Sequence, residues 1–551
     1  MLQPVVYRAL HALPRASFRC AARKFEQALA DPERTQRAIL LQLLKRNATS
    51  AYGQQHGFAS IRSVHEYQRA VPIAAYDDLA PWVERIKAGE ARVLTNEPVL
   101  MFEKSSGSAS AAKYIPYTRS LSAQFHAALA PWITDMYRAF PGLNRGSAYW
   151  VVTPMSRHHE ITPAGIPVGF ESDAEYFGSV CQWMLRKTMA VPAEVARVLD
   201  LETCFYLTLR FLLQARSLTF ISVWNPSFLL ILLDKLEQYG GRLVHDLRVG
   251  GADAPEAISS AVPVSLVRQV QQAEKLSTML RQGRFDPKVL WPELRLISCW
   301  TSAGSSVIVP EIQQRFPGVA IQGKGLLATE GVVSIPIEPY GGCVAAVTSH
   351  FLEFLDQSSG DCRLVSELQE GQEYSVLLTT GGGLWRYRLG DRVRVKGFAK
   401  RTPVLEFLGN EDRVCDLRGE KLNAIFVART IAQFESCRSA RFAMLAPSQE
   451  ANPRYVLFLE SARCEPDLAS RLDEKLQANP HYAYCRRIGQ LGEPRVFRIP
   501  NGAREAYLQH CEALGQRAGA VKLTSLHKRP GWECVFTGSY LDVASSEEVC
   551  A

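Results

Sequence analysis

Residues 1–70 carry apolar side chains at three- and four-residue spacing, which predicts helices. Asp31-Pro32-Glu33 marks a helix start, with Asp as the cap and Pro in the first turn. The helix that follows carries Ile39, Leu40, Leu41, Leu43 and Leu44. At Val99-Leu100-Met101-Phe102 the pattern becomes that of a strand. It runs into a loop of small residues, SSGSASAAK, and then Tyr114-Ile115-Pro116. The middle of the chain alternates short apolar strands, at 148–153, 294–301 and 319–322, with helices such as 310–316. Asn225-Pro226 starts a helix carrying FLLILLDKLEQYG, predicted to end at Gly240-Gly241. This is an α/β pattern built on buried strands.

From 343 the rhythm is β-rich, with strands predicted at 343–348, 351–355, 374–380, 393–395 and 404–408. Gly409-Asn410 reads as a turn. Helices at 421–435 and 466–478 and strands at 455–460 and 496–499 then make a compact α+β unit. No internal repeat is visible.

Composition narrows the class. Hydrophobic residues make up 47% and charged residues 21%, the balance of a folded globular chain rather than a disordered or collagenous one. At 551 residues, length alone suggests about three or four folding units. The net charge is +8, from 63 basic and 55 acidic residues, which suits an anionic substrate. The basic runs are short: Arg392, Arg394, Lys396, Lys400 and Arg401, and Lys522, Lys528 and Arg529. They predict solvated faces and no nucleic-acid partner. The 13 cysteines are scattered, with no CxxC and no zinc-ligand spacing, as expected of reduced thiols in a cytoplasm. The apolar run 228–233 is too short to span roughly 30 Å of hydrocarbon, so no membrane helix is expected. The N-terminus is Arg-rich and acid-poor before Glu26, as transit peptides are, but its helical spacing favours a folded helix.

Three segments carry candidate chemistry. In Ser105-Ser106-Gly107-Ser108-Ala109-Ser110-Ala111-Ala112-Lys113, small residues expose backbone N–H groups to an anion and Lys113 adds a charge. It lacks the GxxxxGK[ST] pattern of a Walker A loop, and a plain Ser/Ala surface loop has the same composition. Gly323-Lys324-Gly325-Leu326-Leu327-Ala328 imitates a dinucleotide fingerprint, but Val332-Val333-Ser334-Ile335-Pro336 follows where a helix would be needed. Thr329-Glu330-Gly331 would place a carboxylate at a strand end, suited to hydrated Mg²⁺ held with phosphates, or would be a polar turn. In Thr379-Thr380-Gly381-Gly382-Gly383-Leu384-Trp385-Arg386-Tyr387-Arg388-Leu389-Gly390-Asp391, the glycines allow close backbone approach. Alternation there predicts a strand with Arg386 and Arg388 on one face and Asp391 at its end, able to accept two ribose hydroxyls or to close a hairpin. GxSxG, HExxH and EF-hand patterns do not occur, and His158-His159-Glu160 reads as a surface or structural loop.

The order and spacing of these segments resemble those of the GH3 acyl-acid amido synthetases, within the adenylate-forming enzymes that include acyl-CoA synthetases, luciferase and peptide-synthetase adenylation domains. The resemblance runs through Asn47-Ala48-Thr49-Ser50-Ala51-Tyr52-Gly53, His56-Gly57-Phe58, Val71-Pro72-Ile73 and Tyr76-Asp77-Asp78. It continues through SSGSASAAKYIPYT, ATEG, FLEFLD and GQEYSVLLTTGGGLWRYRLGDRVRVKGF, the last being the most specific. Short insertions and compact loops give the chain the look of a bacterial member.

The resemblance implies an α/β fold with a large N-terminal adenylating domain at 1–409, a β-barrel plus α/β subdomains. It also implies a smaller, mobile α+β C-terminal lid at 410–551, hinged at 409–413. Ser105, Ser106, Gly107 and Ser108 would hold ATP phosphates, with Lys113 nearby. Thr301, Ser302, Ala328 and Thr329 would border the adenine, Glu330 would hold Mg²⁺ and Asp391 the ribose. Lys522, in Gly519-Ala520-Val521-Lys522, would be the catalytic lysine at the α-phosphate. The implied reaction uses ATP and Mg²⁺ to adenylate a carboxylic acid and pass it to an amine, with an amino acid as the expected acceptor. Small molecules would be the only partners, and a monomer would suffice. Two other outcomes stay open: transfer to coenzyme A or a carrier thiol, and a non-catalytic binding protein on a decayed fold. Ser110, Ala111 and Ala112 motivate the last, because they stand where relatives have glycine and their Cβ atoms restrict φ > 0. Leu326 stands where plant members often have an aromatic residue.

Overall fold

The structure is a computed structural model that describes residues 4–105, 113–151, 160–169, 186–256, 266–357, 359–411, 414–448, 453–514, 516, 519 and 521–541. The chain forms two compact units: Met1–Ser302 with Ile308–Leu408, and Ala303–Val307 with Gly409–Ala551.

The larger unit begins with the helices expected. Pro32–Arg46 is capped by Asp31, whose carboxylate accepts from the Arg34 N–H at 3.2 Å, and it buries Leu40, Leu43 and Leu44. The strand expected at 99–102 starts at Met101 and runs to Ser105, paired antiparallel with Lys113–Tyr117.

Four parallel strands make the central sheet, in the order Ser147–Trp150, Leu218–Ser222, Leu296–Cys299, Ala320–Gly323. Parallel strands are covered on both faces, which is why they read as short apolar runs. The 226–238 run forms the helix Pro226–Gln238, started by the Asn225 side chain, which accepts from Ser227 N–H at 3.0 Å. That helix ends just before Gly240-Gly241, as predicted, and a second helix, Gly240–Val249, begins there. Gly240 is needed for packing, since a Cβ would lie 2.6 Å from Leu280 Cδ1.

A seven-stranded sheet built on antiparallel ladders completes this unit. Its order is Ser334–Ile337, Gly342–Ala345, Thr402–Asn410, Tyr387–Ala399, Glu373–Thr379, Phe351–Asp356, Cys362–Leu364. The strand expected at 393–395 is the middle of the longer Tyr387–Ala399. Gly409-Asn410, predicted as a turn, stays in its strand: Gly409 takes φ 137°, open to glycine without reversing the chain.

The smaller unit includes the helices Ala424–Ile431, Glu435–Arg438, Leu468–Leu476, Pro480–Arg487 and Ala503–Ala513 and a sheet ordered Phe442–Pro447, Tyr455–Glu460, Arg495–Arg498, Ser539–Tyr540. The helix predicted at 421–435 starts only at Ala424. Leu422–Asn423 first pairs with Val414–Cys415, and the Asn423 side chain then caps the helix, accepting from Ile425 N–H at 2.8 Å. No described helix is long and apolar enough to cross a membrane.

Candidate functional site

The four parallel strands end together at Trp150, Ser222, Cys299 and Gly323, and the carboxyl edge of such a sheet is where α/β proteins bind ligands. Thr301 packs on Gly323, where a Cβ would lie 2.6 Å from the Thr301 Oγ1. Ser302 follows it and is half-buried. Lys324 is only 2% exposed. Its Nζ donates to Ser222 Oγ at 2.7 Å and lies 5.0 Å from the ring centre of Trp224, 5.3 Å from Trp132 and 5.7 Å from Trp150. Aromatic faces stabilise a desolvated ammonium by about 2 kcal/mol. Burial pushes the neighbouring Cys299 thiol up to about 11, with Lys324 opposing that shift. The sequence treats Lys324 as part of a glycine turn, because its tryptophans come from three distant segments.

ATEG lies at a strand end, as expected, and turns back as a hairpin. Leu327–Ala328 pairs with Gly331–Val332, and Thr329-Glu330 is the two-residue turn between them. Glu330 thus sits in the turn just past a strand end, and it is 6% exposed. Tyr117 Oη donates to the Thr329 carbonyl at 2.6 Å. Gly331 lies against His350, where a Cβ would stand 2.9 Å from Nε2. Leu326 belongs to the main apolar core.

The glycine-rich segment differs from its prediction. A Cβ at Gly381 would lie 2.6 Å from Ser120 Cβ, one at Gly382 2.5 Å from the Pro116 carbonyl, and one at Gly383 2.6 Å from Leu94 Cβ. The close approach these glycines allow is to the protein itself, at the start of the Arg119–Ala139 helix. Thr118, the cap of that helix, donates from Oγ1 to the Gly381 carbonyl at 2.9 Å, and the Gly381 N–H donates to Gln124 Oε1 at 2.7 Å.

Arg386 and Arg388 do not share a strand face. The strand begins at Tyr387, and Arg386 precedes it with φ 44°. It is buried in a two-point ion pair with Glu353, Nε to Oε2 and Nη2 to Oε1 at 3.1 Å each, and its Nη1 donates to the Gln68 and Val71 carbonyls at 2.9 Å. Arg388 is exposed. Asp391 was expected at the strand end and instead lies in a bulge. Arg388 pairs with Leu377 and Arg392 with Ser375, so three residues face Val376 alone. Gly390 takes φ 80° within it, and Asp391 is half-buried. Bulges re-aim side chains in this way.

Of the small-residue loop, Ser106, Gly107 and Ser108, with 109–112, lie outside the described residues. Its two stems are opposed in register, Ser105 against Lys113. Lys113 Nζ donates to Tyr387 Oη at 3.5 Å, so the loop's stem meets the strand that carries Asp391. His158 and His159 also lie outside the described residues, whereas Glu160 is ion-paired with Lys104 and accepts from Tyr114 Oη.

Lys522 belongs to the smaller unit. Its side chain is exposed and its backbone is pinned. Tyr507 Oη donates to the Lys522 carbonyl at 3.0 Å, and Val521 is 3% exposed. Leu445 exchanges hydrogen bonds with Ser525 and His527 at 2.9 and 2.8 Å.

Among the described residues no group of three or more His, Cys, Asp or Glu side chains converges as a protein-only metal cage. Glu330 offers one carboxylate at a hairpin turn. That fits Mg²⁺, which takes one or two carboxylates and completes its shell with phosphates and water.

The GH3 family N-terminal domain matches residues 21–321, the GH3 family central domain 343–410 and the GH3 family C-terminal domain 423–530. The chain is 24% identical over 569 residues to the probable indole-3-acetic acid-amido synthetase GH3.12 of Oryza sativa subsp. japonica, covering 91% of this chain and 92% of that one. It is 28% identical over 284 residues to the GH3 domain-containing protein of Homo sapiens, covering 47% and 53%. The fold is that of the solved GH3.15 acyl acid amido synthetase, with a TM-score of 0.79 at 18% identity and coverage of 95% and 96%. Three consecutive domain matches and the shared two-part fold establish that the chain belongs to the GH3 family.

Proposed function

We propose that the chain is an ATP-dependent acyl-acid amido synthetase. The observation that carries this reading is the meeting of three separated motifs at one strand–helix junction. Lys113 reaches Tyr387, Tyr117 holds Thr329, and Thr118 and Gln124 hold Gly381. Phosphate-loop stem, carboxylate hairpin and ribose strand are thereby built on 113–124.

In this reading Ser105, Ser106, Gly107, Ser108 and Lys113 hold phosphate oxygens. Thr301, Ser302, Ala328 and Thr329 border the adenine, Asp391 accepts the ribose hydroxyls and Glu330 holds Mg²⁺. Bound Mg²⁺ supplies neutralisation of phosphate charge. The tryptophan-lined edge around Lys324 is the wall we assign to the acid. The larger unit is the adenylating body and the smaller one the lid. A carboxylate oxygen of the acid attacks the α-phosphorus, the bond to the bridging oxygen breaks, and pyrophosphate leaves. Lys522 neutralises the charge that builds as two anions meet. The amine nitrogen then attacks the acyl carbon, the bond to AMP breaks, and the nitrogen loses a proton. Amino acids are the acceptors we assign. The described cysteines form no disulfide, which fits a reducing cytoplasm.

The test is pyrophosphate release with MgATP across indole, aryl and fatty acids, followed by product mass with each amino acid. Indole acids come first because the rice relative is named for one. Acid-dependent release and an amide product support the reading. Release with a thioester product would move the chain to the acyl-thiol class, and no release with any acid would leave a binding protein.

A further inference from the structure

His350 sits just before the strand Phe351–Asp356 with none of its surface exposed. Its surroundings fix its protonation. Gln124 Oε1 accepts from the Gly381 N–H at 2.7 Å, so the atom there is an oxygen. His350 Nδ1 faces the same oxygen at 3.1 Å and must donate to it. Nε2 is then a bare acceptor, buried and without a hydrogen-bond partner. It points at Gly331, the residue after Glu330. The backbone is held as well, since the His350 carbonyl accepts from Gln36 Nε2 at 2.8 Å. Burial lowers the imidazole to about 3, so the ring is neutral at any working pH.

A neutral ring with one nitrogen bonded and the other left orphaned is an expensive way to fill space, since a buried polar atom without a partner has lost its hydration and gained nothing for it. Its value lies in what it touches. One edge abuts the hairpin that carries Glu330. The other is bonded to Gln124, which holds the glycine turn leading to Asp391. We propose that His350 is a positioning residue for the nucleotide end of the site, a rigid spacer between the Glu330 hairpin and the Gly381–Gly383 turn. This rests on the adenylation reading above. It predicts that disturbing the spacer loosens MgATP more than it loosens the acid.

Gly331 makes the test sharp. It has no positive-φ requirement, so alanine is tolerated by the backbone, but the new methyl collides with His350 Nε2. Gly331→Ala should therefore weaken MgATP binding, read by calorimetry and by the MgATP-induced rise in Tm, by about tenfold, one 1.4 kcal/mol step. His350→Ala should do the same by slackening the hairpin. In the double variant the methyl occupies the space the ring left, and affinity should recover to above that of either single variant. KM for the acid should change by less than twofold throughout, whereas general destabilisation would move both KM values together. His350→Asn, which keeps a donor toward Gln124, replaces His350→Ala if the latter does not fold. Folded variants that bind MgATP as tightly as wild type, or a double variant weaker than both singles, would overturn the inference. A wild-type chain that does not bind MgATP would instead sink the adenylation reading, and the inference with it.

Discussion

Two segments carry much of the proposed chemistry, and they are built in opposite ways. In 379–391 key polar groups are tied to the protein: Gly381 at both its N–H and its carbonyl, and the Arg386 guanidinium to Glu353, Gln68 and Val71. Around Lys522 the side chain is exposed, Tyr507 Oη donates to the backbone carbonyl, and the neighbouring Val521 is buried. If 379–391 belongs to the nucleotide site, as proposed, the first design fixes that surface before ligand arrives. The second presents an exposed cation on a held backbone. Preorganisation suits groups that must hold ATP, and reach suits a charge wanted in one step only.

The largest effect should come from cutting the first network. Glu353→Ala leaves Arg386 as an unpaired buried charge and should cost about 3–5 kcal/mol in urea unfolding. A loss under about 1 kcal/mol would mean that water or Gln68 takes over the guanidinium, and that the segment is less fixed than its geometry implies.

Lys522→Ala should leave Tm and MgATP binding unchanged while lowering acid-dependent pyrophosphate release by about 10²–10³-fold. Wild-type release from that variant would end the assignment of Lys522. A drop in Tm would show that the lysine is part of the fold rather than a delivered charge.

Acid tests the same contrast more gently. The His350 imidazole sits at about 3 in the fold against an ordinary value of 6.5. Below pH 6.5 the unfolded chain takes up a proton that the folded one refuses, so the unfolded state binds more protons and stability falls with pH. His350 should add up to about 1.4 kcal/mol of loss per pH unit between 6.5 and 3. Urea midpoints across that range should fall less steeply in His350→Asn than in wild type. Equal slopes would mean that the ring is reached by solvent.

What could be read in advance follows the range of the interactions. Local chemistry is legible: the Asp31 and Asn225 caps and the strands at 351–356 and 455–460 are where the pattern puts them. Long-range chemistry is not. That Gly381–Gly383 press on Leu94, Pro116 and Ser120 depends on which helix packs against the turn. That Asp391 lies in a bulge depends on its register with Ser375 and Leu377. The Lys324 cage needs tryptophans from three segments, and His350 carries no motif at all. Resemblance supplied the identity of the candidate residues, but not why glycine or arginine stands where it does.

The smallest effect is the most discriminating. If the base under Lys522 matters because it is firm, Tyr507→Phe should be felt, although it removes a single hydroxyl. The ring stays stacked 5.0 Å from Trp532. The bond to the Lys522 carbonyl is lost, with a net value of about 0.5–1.5 kcal/mol. Stability should fall within that range. Pyrophosphate release should slow by about two- to tenfold at saturating MgATP, with KM for MgATP unchanged, because the lysine's base loosens while the binding surface does not. A change in KM alone would reverse the contrast, making the Lys522 segment part of the preformed nucleotide surface. An unchanged rate with the expected loss of stability would show that reach, not firmness, is what this lysine needs.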